Sequence, residues 1–292
     1  MGGLFSKAPP PTPKLLDTPW RQFNWGNKHD DLQYVNNYKP QTEGQQLRIL
    51  LNGPVGAGKS SFLNSVKSVL QNRICLETPV RGTSHSSCTK KYKTHRIPMG
   101  DSDSFFPFVF NDMMGLNASS NRKARQIHVK DVKRALKGHV KEGYKFNPEC
   151  KLSKDDPHYN RTPSANDRVD ILVFVIDAST VSSMNQETRE VIEDIRDEAD
   201  DMEVPKIVIF TRIDEACPKI NREIKNVFKS ISLKKKIEQF STDTGISLNC
   251  IFPVKNYNSE YDLKTDADAL ILDTLRHIIE RGDDFLNRKF RS

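Results

Sequence analysis

The run Gly53-Pro-Val-Gly-Ala-Gly58-Lys59-Ser60 constrains this chain more than any other feature, because it sets glycines, a lysine and a hydroxyl at the spacing GxxxxGK[ST]. Glycines there let successive backbone N–H groups turn toward one anion, and a helix that starts at the lysine adds its partial positive charge. The flanks fit that requirement. Leu47–Leu51 (LRILL) reads as a buried strand, and Ser61–Leu70 places Phe62, Val66 and Val69 at helical spacing. In a strand, loop and helix of this kind, Gly53, Gly56, Ala57, Gly58 and Ser61 cradle phosphates. Lys59 reaches the β- and γ-phosphates, and Ser60 ligates magnesium.

The rest of the chain repeats the alternation of short apolar runs with amphipathic stretches, which predicts a largely parallel sheet between helices. Further strands are expected at Lys91–Ile97, Phe108–Phe110, Ile171–Ile176, Ile207–Phe210 and Cys250–Val254. Pro107 has no N–H for a ladder, so the third strand is expected to start after it. Helices are expected at Val129–Glu142, Asn185–Asp200, Pro218–Phe240 and Ala267–Arg288, and an ordered loop over Gly143–Asp167. The expected architecture is therefore α/β, a three-layer P-loop G domain over residues 46–292. Residues 1–45 read as a proline-rich tether, followed by a clamp carrying Trp20, Phe23 and Trp25.

Two downstream motifs point to guanine. Phe108-Val-Phe-Asn-Asp112-Met-Met-Gly115 ends a strand in DxxG, which sets Asp112 near the magnesium and the Gly115 amide near a γ-phosphate. Thr211-Arg212-Ile213-Asp214 closes another strand as [NT]-[KR]-x-D, whose carboxylate accepts from both N1–H and the exocyclic amine of guanine, a donor pair that adenine lacks. Lys255, in Pro253-Val-Lys-Asn-Tyr257, follows the last strand where a loop can cover the far face of the base. All of these fall at the carboxyl ends of expected strands, where open α/β sheets bind ligands. The constellation implies GTP or GDP with Mg²⁺ as the bound group.

Charge and cysteines narrow the alternatives. The net charge of +7 alone does not separate nucleic acid, membrane or phosphate ligand. The densest cluster, Lys234 to Lys236, sits in an expected helix beside Glu238 and lacks interleaved aromatics, so nucleic-acid binding is the weaker reading. Five scattered cysteines with no CxxC pair argue against a disulfide framework, and His85 with Cys88 lacks the second pair that zinc needs. No apolar run of about 18 residues and no apolar leader is present, so a cytoplasmic protein is expected.

Taken together these residues resemble the interferon-induced protein 44 and 44-like family. The resemblance runs from about Trp20 to the C-terminus and rests on PWR…W at Pro19–Trp25, RILLNGPVGAGKSSF, RGTS around Thr83, the GLN turn after Asp112, and the TRID and KNY elements. It implies a GTP-binding protein of the innate antiviral response, in a short form lacking the N-terminal TLDc-type domain of longer members. Thr83 is the expected switch threonine on magnesium, acting with Lys59, and Thr89 is the alternative. Leu116 stands where Ras-like enzymes place a water-orienting glutamine, and Arg212 where many GTPases have lysine. Two readings stay open at this point: a GTPase with slow turnover, and a GTP-binding interaction module, either of them able to self-associate. The start, Met1-Gly2-Gly-Leu-Phe-Ser6, fits the myristoylation pattern, so Gly2 is the expected acceptor and a peripheral membrane fraction is expected beside the cytoplasmic pool.

Overall fold

A computed structural model describes residues 14–75, 90–100, 103–117 and 120–288. Gly2, Thr83 and Thr89 lie outside them, as do His85, Cys88 and most of the proline-rich start. In chain order the helices and strands are α1 Lys28–Asn37, β1 Leu47–Asn52, α2 Lys59–Leu70, β2 Lys93–Pro98, β3 Phe105–Asp112, α3 Arg122–Leu136, β4 Ile171–Asp177 and α4 Gln186–Asp200. There follow β5 Lys206–Thr211, α5 Ile213–Ala216, α6 Pro218–Arg222, α7 Ile231–Thr244, β6 Ile251–Pro253 and α8 Thr265–Arg288.

The strands form one six-stranded sheet in the order β2-β3-β1-β4-β5-β6. All neighbours are parallel except the β2–β3 hairpin at one edge. β4 and β5 are continuous apolar runs between their ends, and β1 is one over Ile49–Leu51, because helices cover both of their faces. On one face Leu50, Phe174, Ile176 and Phe210 pack against α3, α4 and α7 through Val132, Ile195 and Phe240. On the other, Leu47, Ile49, Val173 and Ile209 meet α1, α2 and α8 through Val35, Phe62, Val66, Leu275 and Ile278. This is the three-layer P-loop architecture, with the loop after β1 at the centre of the sheet's carboxyl edge.

Several boundaries differ from those expected. β3 starts at Phe105 and contains Pro107. The β2–β3 register shifts between Arg96 and Pro98, opposite Pro107, and pairing with β1 begins only at Phe108, so no ladder bond needs the missing N–H. α3 starts seven residues and ends six residues earlier than read: the Asn121 side chain accepts from Ala124 N–H at 2.8 Å, and the helix stops before Gly138, whose φ is +79°. The expected helix from Pro218 to Phe240 is broken into α6, a 3₁₀ turn at Ile224–Lys229, and α7, which Ser230 caps by accepting from Leu233 N–H. Gly143–Asp167 is ordered loop over most of its length, ends in a 3₁₀ turn at Ala165–Asp167, and buries Tyr144, Phe146 and Leu152.

Ahead of β1, Trp20, Phe23 and Trp25 gather on Phe228, with ring centroids at 5.3, 5.1 and 6.4 Å. α1 docks on α8 through the buried Val35 and through polar pairs, Lys28 with Asp268 at 2.6 Å, Asp31 with Arg276 at 3.0 Å and Tyr38 with Asp283 at 2.8 Å.

Candidate functional site

The phosphate loop begins where β1 ends. Gly53 has φ +144°, and a Cβ there would lie 2.2 Å from the Val175 carbonyl oxygen of β4, so a residue with a side chain cannot make this turn against the neighbouring strand. Gly58, with φ +94°, sits at the N-cap of α2. The first-turn amides of Lys59, Ser60 and Ser61 therefore point out of the helix's own hydrogen-bond ladder, and no acid occupies that turn. The Lys59 ammonium curls back over the loop and donates to the carbonyls of Gly53 at 2.9 Å and Pro54 at 3.0 Å.

The loop after β3 is stitched onto this one. Val55 N–H donates to the Leu116 carbonyl at 2.9 Å, and Leu116 N–H donates to the Gly53 carbonyl at 3.1 Å. Those two bonds carry Gly115 against Lys59. Asp112 ends β3 beside Leu51 and is almost wholly buried, so its carboxylate belongs to the floor of the site. Leu116 itself turns its side chain into the core.

On the other flank, two side chains from separate loops hold consecutive carbonyls of the phosphate loop. Thr211, at the end of β5, donates its hydroxyl to Ala57 O at 2.6 Å. Asn256, after β6, donates its amide to Gly58 O at 3.2 Å, and its Oδ1 is buried with no partner among the described residues. Arg212 adopts φ +51° and its guanidinium lies 3.3 Å from Asp177 of β4. Lys255 sits 3.5 Å from Asp214 and 3.5 Å from Glu260, so cation and carboxylate share one mouth.

The structure thus gathers Gly53, Gly56, Ala57, Gly58, Lys59, Ser60, Ser61, Asp112, Gly115, Thr211, Arg212, Asp214 and Lys255 along one edge of the sheet, around the loop after β1. Asp177, Asn256 and Glu260 join them without having been read from the sequence. Of these, Asn256 alone had a signal, its place in the KNY element. Beneath the loop, Asn52 Nδ2 lies 3.3 Å from His128 Nε2 and 3.5 Å from Met113 Sδ. Burial, with the Lys59 charge nearby, lowers the His128 pKa to about 4, so this imidazole is neutral.

Chemically, the arrangement is an anion cradle with hard oxygen donors beside it and the carboxylate–ammonium pair of Asp214 and Lys255 at its flank. Ser60 and Asp112 supply the kind of oxygen ligand that magnesium takes.

Comparison with known proteins agrees with this geometry. The KAP family P-loop domain matches residues 32–287. Interferon-induced protein 44 of Pan troglodytes is 33% identical over 242 residues, which cover 83% of this chain and 53% of that protein. Human interferon-induced protein 44-like is 27% identical over 253 residues, covering 86% and 55%. The chain thus spans about half the length of the curated relatives it matches. Among solved structures, Toc33 from Arabidopsis thaliana in complex with GDP and Mg²⁺ is similar at 14% identity and a TM-score of 0.47, covering 89% of this chain and 96% of that one. With its phosphate loop, its strand order and a family match over most of its length, this chain belongs to the KAP family of P-loop domains, as a relative of the interferon-induced protein 44 proteins.

Proposed function

We propose that the protein binds GTP and GDP with Mg²⁺ and acts in the interferon-induced antiviral response. The observation that carries the nucleotide reading is the convergence on one phosphate loop of three separate segments: the Gly115–Leu116 turn, Thr211, and Asn256. The convergence fixes the backbone amides that would meet phosphate oxygens, and it brings Asp214 and Lys255 to the side where a base would lie. In this reading Ser60 and Asp112 hold the magnesium, which supplies charge neutralisation on the phosphates. The place in an antiviral response follows from the relatives' names.

Guanine selectivity rests on Asp214, whose two oxygens match the two donors on the guanine edge. Asp214→Asn is expected to move preference from GTP to XTP, since the amide donates to the xanthine 2-oxo group. A competition titration with GTP, XTP and ATP reads this directly. An Asp214→Asn variant that still prefers GTP over XTP contradicts the assignment.

One observation favours a second reading, a nucleotide-holding interaction module with negligible turnover. Leu116 is buried and its backbone is bonded to the phosphate loop, so the residue directly after Gly115 offers no polar side chain to orient water.

A further inference from the structure

Beside the phosphate cradle, and bordered by its Val55 and Gly115, a cavity of about 310 Å³ opens between α3, the 146–148 turn and the loop after β3. Its walls are largely apolar, from Met114, Leu116, Ile127, Phe146 and Pro148. The two ionisable groups buried in the wall present no net charge to an occupant. His128 is held neutral by burial. Asp131 is engaged by Leu152 N–H at 2.9 Å, the Tyr144 hydroxyl at 3.3 Å and Arg134 at 3.4 Å. An engineered apolar cavity of about 150 Å³ admits one benzene ring, so by proportion this one admits roughly twelve carbon atoms.

The mouth differs from the interior. Lys90 lines it, is exposed, and has no ion-pair partner among the described residues. It stands in the most basic part of the chain: residues 90–154 hold fifteen of the 45 Lys and Arg but six of the 38 Asp and Glu. Two of those six, Asp112 and Asp131, are buried. An apolar interior under a positive mouth selects a molecule with an alkyl body and an anionic head.

We propose that this cavity binds a medium-chain carboxylate, its alkyl chain lying against Met114, Leu116, Ile127 and Phe146 and its head group on the Lys90 ammonium. The cavity shares Val55 and Gly115 with the nucleotide site but contains neither Lys59 nor Asp214, so decanoate binding measured without nucleotide is read separately from the nucleotide reading. The alkyl chain supplies most of the affinity, by leaving water. The exposed ion pair chooses the sign of the head group.

The test titrates the full chain by calorimetry with decanoate, decanol and decyltrimethylammonium, each below its micelle concentration. One saturable site is expected for decanoate, at least tenfold tighter than for decanol, with no saturation by the cation. Lys90→Glu is expected to weaken decanoate at least tenfold and leave decanol unchanged. Ala124→Phe fills the cavity from α3 and is expected to abolish both. Should that variant fail to fold, Lys90→Glu on the surface still decides. No saturable decanoate binding to the wild type, equal binding of the cation, or decanoate affinity unchanged by Lys90→Glu overturns the proposal.

Discussion

A Cβ on Gly115 would lie 2.8 Å from the Lys59 ammonium nitrogen and 3.0 Å from the Val55 backbone, so the loop after β3 presses bare backbone against the phosphate-loop cation. Gly115→Ala must therefore displace Lys59 or push the two loops apart. The expected result is a loss of nucleotide affinity of about tenfold or more, roughly 1.4 kcal/mol, read by titration with a fluorescent GTP analogue. Unchanged affinity would mean that the loops separate on binding.

Thr211 is the other brace. Its one hydroxyl hydrogen goes to Ala57 O at 2.6 Å, with Ile176 O at 3.3 Å beside it, in a buried position. Thr211→Val keeps the shape but leaves the buried Ala57 carbonyl short of its donor, at a cost of about 1–3 kcal/mol. Denaturant unfolding is expected to show that loss, together with weaker nucleotide binding. Thr211→Ser, which keeps the hydroxyl, should restore most of the binding.

The sequence made the parallel core legible because β4 and β5 are apolar between their ends and β1 carries the run Ile49–Leu51, a pattern typical of strands covered on both faces. It made the phosphate loop legible because glycine spacing is a backbone requirement. What it hid depends on contacts between distant segments. Pro107 reads as a strand breaker until the register shift opposite it is seen. α1 has little apolar patterning and is held through Asp31, Lys28 and Tyr38 by α8, some 240 residues away. Asn256 looks like a loop residue until its amide is found on the Gly58 carbonyl. The onset of α3 was legible in principle, since Asn121 and Gly138 are ordinary cap and stop residues, but apolar periodicity drew the boundary inward.

Leu116 sets the expected turnover. Its side chain belongs to the core and its backbone is bonded to the phosphate loop, so the residue at the water-orienting position of Ras-like enzymes cannot position an attacking water. Ras with its glutamine and without its activator turns over at only about 10⁻⁴ s⁻¹, and this protein as a dilute monomer is expected to be no faster. Single-turnover release of phosphate measures it, and a rate near about 1 s⁻¹ would contradict the role given to Leu116.

His128 makes stability depend on pH. Its native pKa of about 4 lies below the unfolded value, so the unfolded chain binds the extra proton between the two. Its contribution is whole above about pH 6.5 and is lost as pH falls toward 4, on the order of 2 kcal/mol by pH 5. His128→Gln keeps an acceptor for Asn52 without the titration. Melting curves at pH 7 and pH 5 are expected to fall less for this variant than for the wild type, and equal falls would show that His128 does not stay neutral.

The central claim is that the loop of Gly53 to Ser60 holds a guanine nucleotide by Lys59. Calorimetric titration of wild type and Lys59→Ala with GTP and ATP, in the presence of Mg²⁺, tests it most directly. The account predicts saturable GTP binding to the wild type, much weaker ATP binding, and no measurable binding of either by the variant. Equal affinity for GTP in the variant, or ATP bound as tightly as GTP by the wild type, would contradict it.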